Sequence, residues 1–214
     1  MEQSIEIEAA RRRPARNFAV EIFKTALLAA IIFFGARAVI LPYEVEGSSM
    51  TPNLRDHERV LVNQTVYYHF DLNDLLNLLP GVDREGERVV YPFHAPERGE
   101  IVVLEPPLSS DKPYIKRIVG LPGESIAIRD GRVFVDGVAL AEPYLDGIST
   151  RCAGDQHCAI DHIPDDHVYV LGDNRGNSTD SRGFGPIHVE DIVGKAWFSN
   201  WPLDDFGPLP DYDY

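Results

Sequence analysis

Basic residues are scarce in this 214-residue sequence: Lys+Arg 20 stand against Asp+Glu 34, a formal net charge of −14. That balance argues against nucleic acid as the main partner, because binding to phosphates is driven by cationic side chains. Several catalytic signatures are missing as well. There is no G-x-S-x-G nucleophile elbow; the nearest string, Gly47-Ser48-Ser49-Met50-Thr51, lacks the second glycine. There is no H-E-x-x-H zinc helix and no phosphate-binding P-loop. No repeat of fixed period is visible. What remains is a composition of 44% hydrophobic and 25% charged residues, that of a folded protein, which excludes wholesale disorder.

The charge is unevenly spread. Residues 1–41 hold six basic and four acidic side chains, a net of +2, and the other 173 hold 14 and 30, a net of −16. Between head and body runs Thr25 to Ala36 (TALLAAIIFFGA), 12 uncharged residues, too short to cross a hydrocarbon core of about 30 Å at about 1.5 Å per residue. Widening to Ile22–Leu41 gives 20 residues with Lys24 and Arg37 near the ends, where long stems reach the headgroups. Pro42 ends this helix. Arg11, Arg12, Arg13 and Arg16 precede it, so the positive-inside rule places residues 1–17 in the cytoplasm, 18–41 in the bilayer and the rest outside. The other reading is a cleaved signal peptide, with Ala36-Arg37-Ala38 as a small-x-small site. Either reading exports the body.

The two cysteines agree with export. Cys152 and Cys158 flank a five-residue loop with a Gly inside. In an oxidising compartment this reads as a local disulfide, with two free thiols or zinc as the alternatives. Short β-branched stretches recur through the body: Arg59–Asn63, Glu100–Leu104, Tyr114–Val119, Ser125–Ile128, Arg132–Val138 and His167–Leu171. Gly, Pro and Asp turns separate them, which predicts antiparallel β structure. RDGRVFVDGVAL, with Asp-Gly at both ends of an alternating strand, predicts a hairpin series. Only Leu72–Leu79 looks helical, inside an insertion or lid at about 66–97. Residues 202–214 are proline-rich and acidic, and are expected to be frayed or draped over the surface.

Lys116 draws attention first. On a strand it shares a face with Tyr114 and Ile118, while Ile115, Arg117 and Val119 share the other. An apolar pocket lowers a lysine pKa and makes it a usable general base, and a serine hydroxyl needs such a neighbour. A salt-bridged surface lysine is the bland alternative. Ser49 sits between Ser48 and Met50, with Pro52 close behind. From Leu171 to Gly183, Asp173, Asn174, Arg175, Asn177, Ser178, Asp180 and Arg182 crowd between two apolar segments, a density of polar groups unusual near a core. A solvated turn or a calcium loop would be the plain readings, and the Asp173…Asn177…Asp180 spacing misses the EF-hand pattern.

Taken in order, the anchor, Ser49-Met50-Thr51-Pro52, Arg98–Val103, Tyr114–Gly120 and Gly172–Arg182 resemble the blocks of type I signal peptidases, membrane-anchored Ser–Lys proteases. The blocks are scattered over most of residues 20–190, and the Cys-x5-Cys loop is similar to one in some members. The resemblance implies Ser49 as nucleophile and Lys116 as base, with Ser178 orienting the amine. Asp173, Arg117, Asp180 and Arg182 would brace the loop. The oxyanion donors fall at Ser49, with Gly47 and Ser48 in question, because some members carry a serine where Gly47 stands here. Met50, Tyr114 and Ile115 would line pockets for small residues and so favour Ala-x-Ala sites. The implied fold is mainly β: an antiparallel β-sheet catalytic domain over 42–128 and 165–201, a β-ribbon insertion at 129–164, an acidic tail at 202–214, and one N-terminal transmembrane helix. No cofactor and no metal are implied. The partners would be secretory preproteins, the lipid bilayer and the translocon, with the chain monomeric in the inner membrane. Self-cleaving repressors and a catalytically dead anchored binding domain are the rival classes.

Overall fold

The computed structural model describes residues 2–80, 83–86, 88–107, 112–152, 154 and 157–212. They fall into two compact units, residues 1–40 and 41–214. The first is a helix, α1 (Glu2–Val39), whose Val20–Val39 stretch, mean hydropathy 1.8, is long and apolar enough to cross a membrane. Ala36, Arg37 and Ala38 lie within this helix.

The second unit is mainly β. Its strands in chain order are β1 (Ile40–Glu44), β2 (Arg59–Asn63), β3 (Phe70–Asp71), β4 (Val89–Val90), β5 (Ile101–Leu104), β6 (Tyr114–Gly120), β7 (Ile126–Arg129), β8 (Arg132–Val135), β9 (Val138–Ala139), β10 (Ala159–Ile160), β11 (His167–Leu171), β12 (Ile187–His188), β13 (Ile192–Trp201) and β14 (Gly207–Pro208). Short helices α2 (Leu72–Asn77) and α3 (Ser181–Phe184) interrupt them. The main sheet runs β1-β2-β13-β5-β6-β11-β12, with β14 added to β13. β13 thus joins the half that carries Ser49, between β1 and β2, to the half that carries Lys116, on β6. It was the element least visible in sequence: register shifts between Ile192 and Gly194, Ala196 and Phe198, and Ser199 and Trp201 break the period of two.

A second sheet, β10-β7-β8-β9, forms the ribbon. Its hairpins are the ones the Asp-Gly pairs predict. Asp130 (φ 52°) and Gly131 (φ 76°), like Asp136 (φ 49°) and Gly137 (φ 77°), adopt the two positive-φ positions that suit a tight hairpin. The ribbon begins at Ile126 and shares a core with the main sheet, where Ile126, Val133 and Val135 pack against Val119, Tyr169 and Leu171. Cys152 and Cys158 are joined as a disulfide. Ser109, Ser110, Asp111, Asp213 and Tyr214 lie outside the described residues.

The 66–97 segment is a two-stranded β3–β4 pair around α2, whose N-cap is Asp71 accepting from the Asn73 amide. It is tied to the sheet through Glu100. This buried carboxylate accepts from Tyr67 Oη at 2.7 Å, Lys195 Nζ at 2.7 Å and the Glu97 amide at 2.9 Å, and faces His94 Nε2 at 2.7 Å. Burial alone would raise its pKa. The bonds from Lys195, Tyr67, the Glu97 amide and His94 outweigh that and hold it below the ordinary value. A carboxyl depressed in the folded state contributes stability that is present above its unfolded pKa of about 4.3 and lost as pH falls through the folded value. Glu100→Gln should therefore cost about 1–3 kcal/mol at pH 7. Denaturant titrations in detergent should show that gap narrowing below about pH 4; a gap independent of pH would refute the role given to the charge.

Candidate active site

Ser49 stands on a tight turn behind β1. The Thr51 amide donates to the Ser48 carbonyl at 3.2 Å and the Leu54 amide to the Met50 carbonyl at 2.9 Å, a first helical turn that anchors the segment. Met50 is fully buried beneath it, packed with Val45, Leu54, Val60 and Ile115. Burying the neighbouring side chain fixes the direction of the Ser49 hydroxyl. It also means that Met50 supports the serine from below and does not line the cleft above it.

β6 supplies the partner. Its alternation holds: Tyr114 and Ile118 pack in one cluster, Ile115 in another. Lys116 is 3% exposed, and its Nζ lies 3.0 Å from Ser49 Oγ and donates to the Ile115 carbonyl at 2.7 Å. The Tyr114 ring lies 5.1 Å from the ammonium. Burial strips the charged form of water and brings its pKa down to about 8, against the opposing pull of the Asp180 and Asp173 carboxylates. At that value a useful fraction of the amine is neutral near pH 7.

The polar loop after β11 closes the site from the other side. The Asn174 amide donates to the Ser49 carbonyl at 3.0 Å, and Asn174 Nδ2 donates to the Ser48 carbonyl and to Thr51 Oγ1, each at 3.0 Å. One asparagine thus grips the serine turn at three residues, Ser48, Ser49 and Thr51. Gly172 permits this approach, because a Cβ there would stand 2.5 Å from the Ser49 carbonyl oxygen and 2.2 Å from Ser178 Oγ. Asp180 caps α3, accepts from the Gly172 amide at 3.0 Å and pairs with Arg182 at 2.8 and 2.9 Å. Arg182 also donates to the Arg175 and Arg151 carbonyls, which ties the loop to the disulfide segment. Arg117 and Asp173 form a fully buried two-pronged pair at 2.9 and 2.7 Å, and Asn53 Nδ2 donates to the same carboxylate at 2.9 Å.

Of the residues singled out in sequence, Ser49, Lys116, Asp173, Arg117, Asp180 and Arg182 therefore come together. Ser178 lines the same cavity as Ser49 and Lys116, yet among the described residues its buried hydroxyl has no hydrogen-bond partner, the lysine included. The Gly47 amide donates to Asp56 Oδ1 at 2.7 Å and is thereby engaged. Ser48 Oγ accepts from Asn177 Nδ2 at 3.0 Å, which leaves its own hydrogen to give. Asn53, Asn174 and Arg175 were missed as positioning groups. The last two lie inside the polar string, but nothing in residue type says that an Asn grips a serine turn. Arg175, buried, bonds Glu142 and Thr150 of the ribbon and the Gly172 carbonyl.

Next to Ser49 opens a cleft of about 270 Å³. One wall is the extended segment Pro42–Glu46, the other Lys112–Lys116, with Val60 and Val103 at the floor. Tyr114 and Ile115 face it.

A family model described as "Signal peptidase, peptidase S26" matches residues 18–201. The chain is 30% identical over 211 residues to the signal peptidase I of Bacillus amyloliquefaciens, covering 93% of this chain and 97% of that protein. It is 32% identical over 194 residues to signal peptidase I S of Bacillus subtilis (strain 168), covering 87% and 91%. A probable signal peptidase I-2 of Synechocystis sp. is 31% identical over 219 residues, covering 99% and 87%. With a family match over most of its length and relatives matched nearly end to end, the chain belongs to the signal peptidase family, peptidase S26.

Proposed function

We propose that this membrane-anchored protease removes signal peptides from secretory preproteins by attack of Ser49, with Lys116 as the general base. The observation that carries the reading is the 3.0 Å approach of Lys116 Nζ to Ser49 Oγ in surroundings that bring the amine to a pKa of about 8. The preprotein lies extended in the cleft between the two walls, small side chains entering the apolar floor. Such a floor favours Ala-x-Ala sites, because larger side chains meet Val60, Val103 and Ile115. Ser49 Oγ forms a bond to the scissile carbonyl carbon as its proton passes to the neutral Lys116 amine. The tetrahedral intermediate collapses, the C–N bond breaks, and Lys116 returns the proton to the leaving amine. Water, deprotonated by Lys116, then hydrolyses the ester and frees Ser49.

The oxyanion would accept from the Ser49 amide. Ser48, its oxygen held by Asn177, is the better second donor than Gly47, whose amide is committed to Asp56. Ser178 is assigned to steer the amine: its orphaned hydroxyl is satisfied when Lys116 turns away from the Ile115 carbonyl. Asp180–Arg182 and Arg117–Asp173 brace the loop with charge-assisted bonds. The Arg-rich N-terminal flank favours a cytoplasmic N-terminus in the inner membrane and a catalytic unit on the outer face. A single chain supplies every group in this scheme, so a monomer suffices, and delivery of the substrate by the translocon fits the location.

Detergent-solubilised protein should cut a preprotein after the second Ala of an Ala-x-Ala site. Ser49→Ala and Lys116→Ala should each lose at least about 10³-fold in kcat/KM. Near-normal activity in Lys116→Ala would move the search for a base to the histidines. A folded wild type that never cuts would point to a binding protein.

Because the base must be neutral, kcat/KM should rise with pH through a midpoint near 8 and level off above it. A midpoint near 6.5, the ordinary histidine value, would be inconsistent with a lysine base.

The same shift has a stability side. Lys116 has a folded pKa of about 8 against an ordinary value of 10.5. Between these two values the unfolded chain binds more protons, so stability rises with pH there, and below about 8 the buried lysine carries its full cost. Lys116→Met should abolish activity while stabilising the fold at pH 7 by roughly 2–3 kcal/mol. A less stable variant would contradict that account.

A further inference from the structure

Residues beyond β13 were expected to fray or drape, and they form a strap that crosses the main sheet and stops behind the base strand. β14 pairs with β13 through Ser199 and Phe198. The Leu209 amide then donates to the Trp197 carbonyl at 2.9 Å, and the Leu209 side chain packs on the cluster that holds Met50 and Ile115. Asp211 Oδ2 meets Lys195 Nζ at 2.6 Å. The Tyr212 ring packs against Tyr144 of the ribbon, with centroids 5.0 Å apart and planes tilted by 38°. Both rings lie against one cation: Arg117 Cζ is 4.4 Å from the Tyr144 centroid and 5.2 Å from that of Tyr212. Arg117 Nη1 donates to the Gly99 carbonyl at 2.6 Å and reaches the Pro210 carbonyl at 3.4 Å. The chain at Gly99 (φ 94°) is shaped for the strap, since a Cβ there would stand 2.1 Å from the Tyr212 carbonyl oxygen.

We propose that the Leu209–Tyr212 strap is a positioning element of the catalytic site, with the Tyr212 and Tyr144 rings packed side by side against Arg117 and thereby holding the Arg117–Asp173 pair in register behind Lys116. The two partners of that pair are fully buried, and two aromatic rings packed against the guanidinium restrict its movement and keep its surroundings dry. The charged groups around Lys116 are Arg117 on its own strand and Asp173, Asp180 and Arg182 from the loop, while Glu46 and Lys112 stand at the cleft beside it. Asp173 favours the protonated lysine, and Arg117 offsets that carboxylate through two hydrogen bonds. Removing the Tyr212 ring admits water, loosens the pair and leaves Asp173 less compensated. Lys116 then holds its proton to higher pH. This inference rests on the reading of Lys116 as the base.

The test compares full-length wild type with Tyr212→Ala and Tyr212→Phe, reading the pH profile of kcat/KM and the NMR titration of an isotopically labelled Lys116 side chain. Tyr212→Ala should move both midpoints upward by about half a pH unit, equal to a roughly threefold loss of neutral amine below the midpoint. Tyr212→Phe, which keeps the ring, should restore both. If Tyr212→Ala only lowers the melting temperature while both midpoints stay at the wild-type value, the strap is structural and the proposal fails. It fails equally if Phe does not rescue. A wild type without peptidase activity would overturn the proposed function, yet the Lys116 titration in the three proteins would still decide the role of Tyr212.

Discussion

Everything in the catalytic unit depends on keeping one ammonium group out of water. Lys116 is 3% exposed in a strand whose neighbours are branched and aromatic, and that desolvation lowers its pKa so that neutral amine is present near neutral pH. The same arrangement is unfavourable for folding near neutral pH, so the fold must be held together by other contacts. Three apolar clusters surround the strand, built from β2, β5, β11, β13 and the ribbon. Lys116, the proposed base, is tuned by what encloses it rather than by a paired counter-ion: it bonds a hydroxyl and a carbonyl, and the carboxylates act at longer range. A directly paired carboxylate would hold the proton and remove the base.

The polar loop reconciles these demands. It carries the charges that a soluble protein would place on its surface, but each is bound before it reaches the lysine. Arg182 neutralises Asp180, Arg117 neutralises Asp173, and Arg175 is spent on Glu142 of the ribbon. What remains toward Ser49 is neutral hydrogen bonding from Asn174 and Asn177. Position is set by amides and potential by compensated ion pairs, so a change in one need not disturb the other.

Much of this was legible in the sequence because it is local. The alternation around Lys116, the Asp-Gly hairpins and the density of polar residues from Asp173 to Arg182 each follow from chemistry within a few residues. What was not legible is relational. β13 hides because three register irregularities scramble its alternation, and its length serves three partners, β2, β5 and β14. The strap hides because Pro, Asp and Tyr are turn and surface residues in isolation. They become structural only against Lys195, Gly99 and Arg117, far away in sequence. Ser178 illustrates the reverse: its neighbourhood was foreseen, whereas its hydroxyl in this arrangement bonds to nothing.

The position of β13 also bears on when the protein becomes a protease. The strand ladders that hold Ser49 and Lys116 end at β2 and β5, and the only strand between them is the last long one in the chain. Pairing at such sequence separation is slow, since a large loop must close before any contact rewards it. As the chain emerges from its N-terminus, hairpins such as β5–β6 and β7–β8 can form early while Ser49 and Lys116 still belong to unconnected half-sheets. Assembly of the site is therefore deferred by topology until β13 pairs with both β2 and β5.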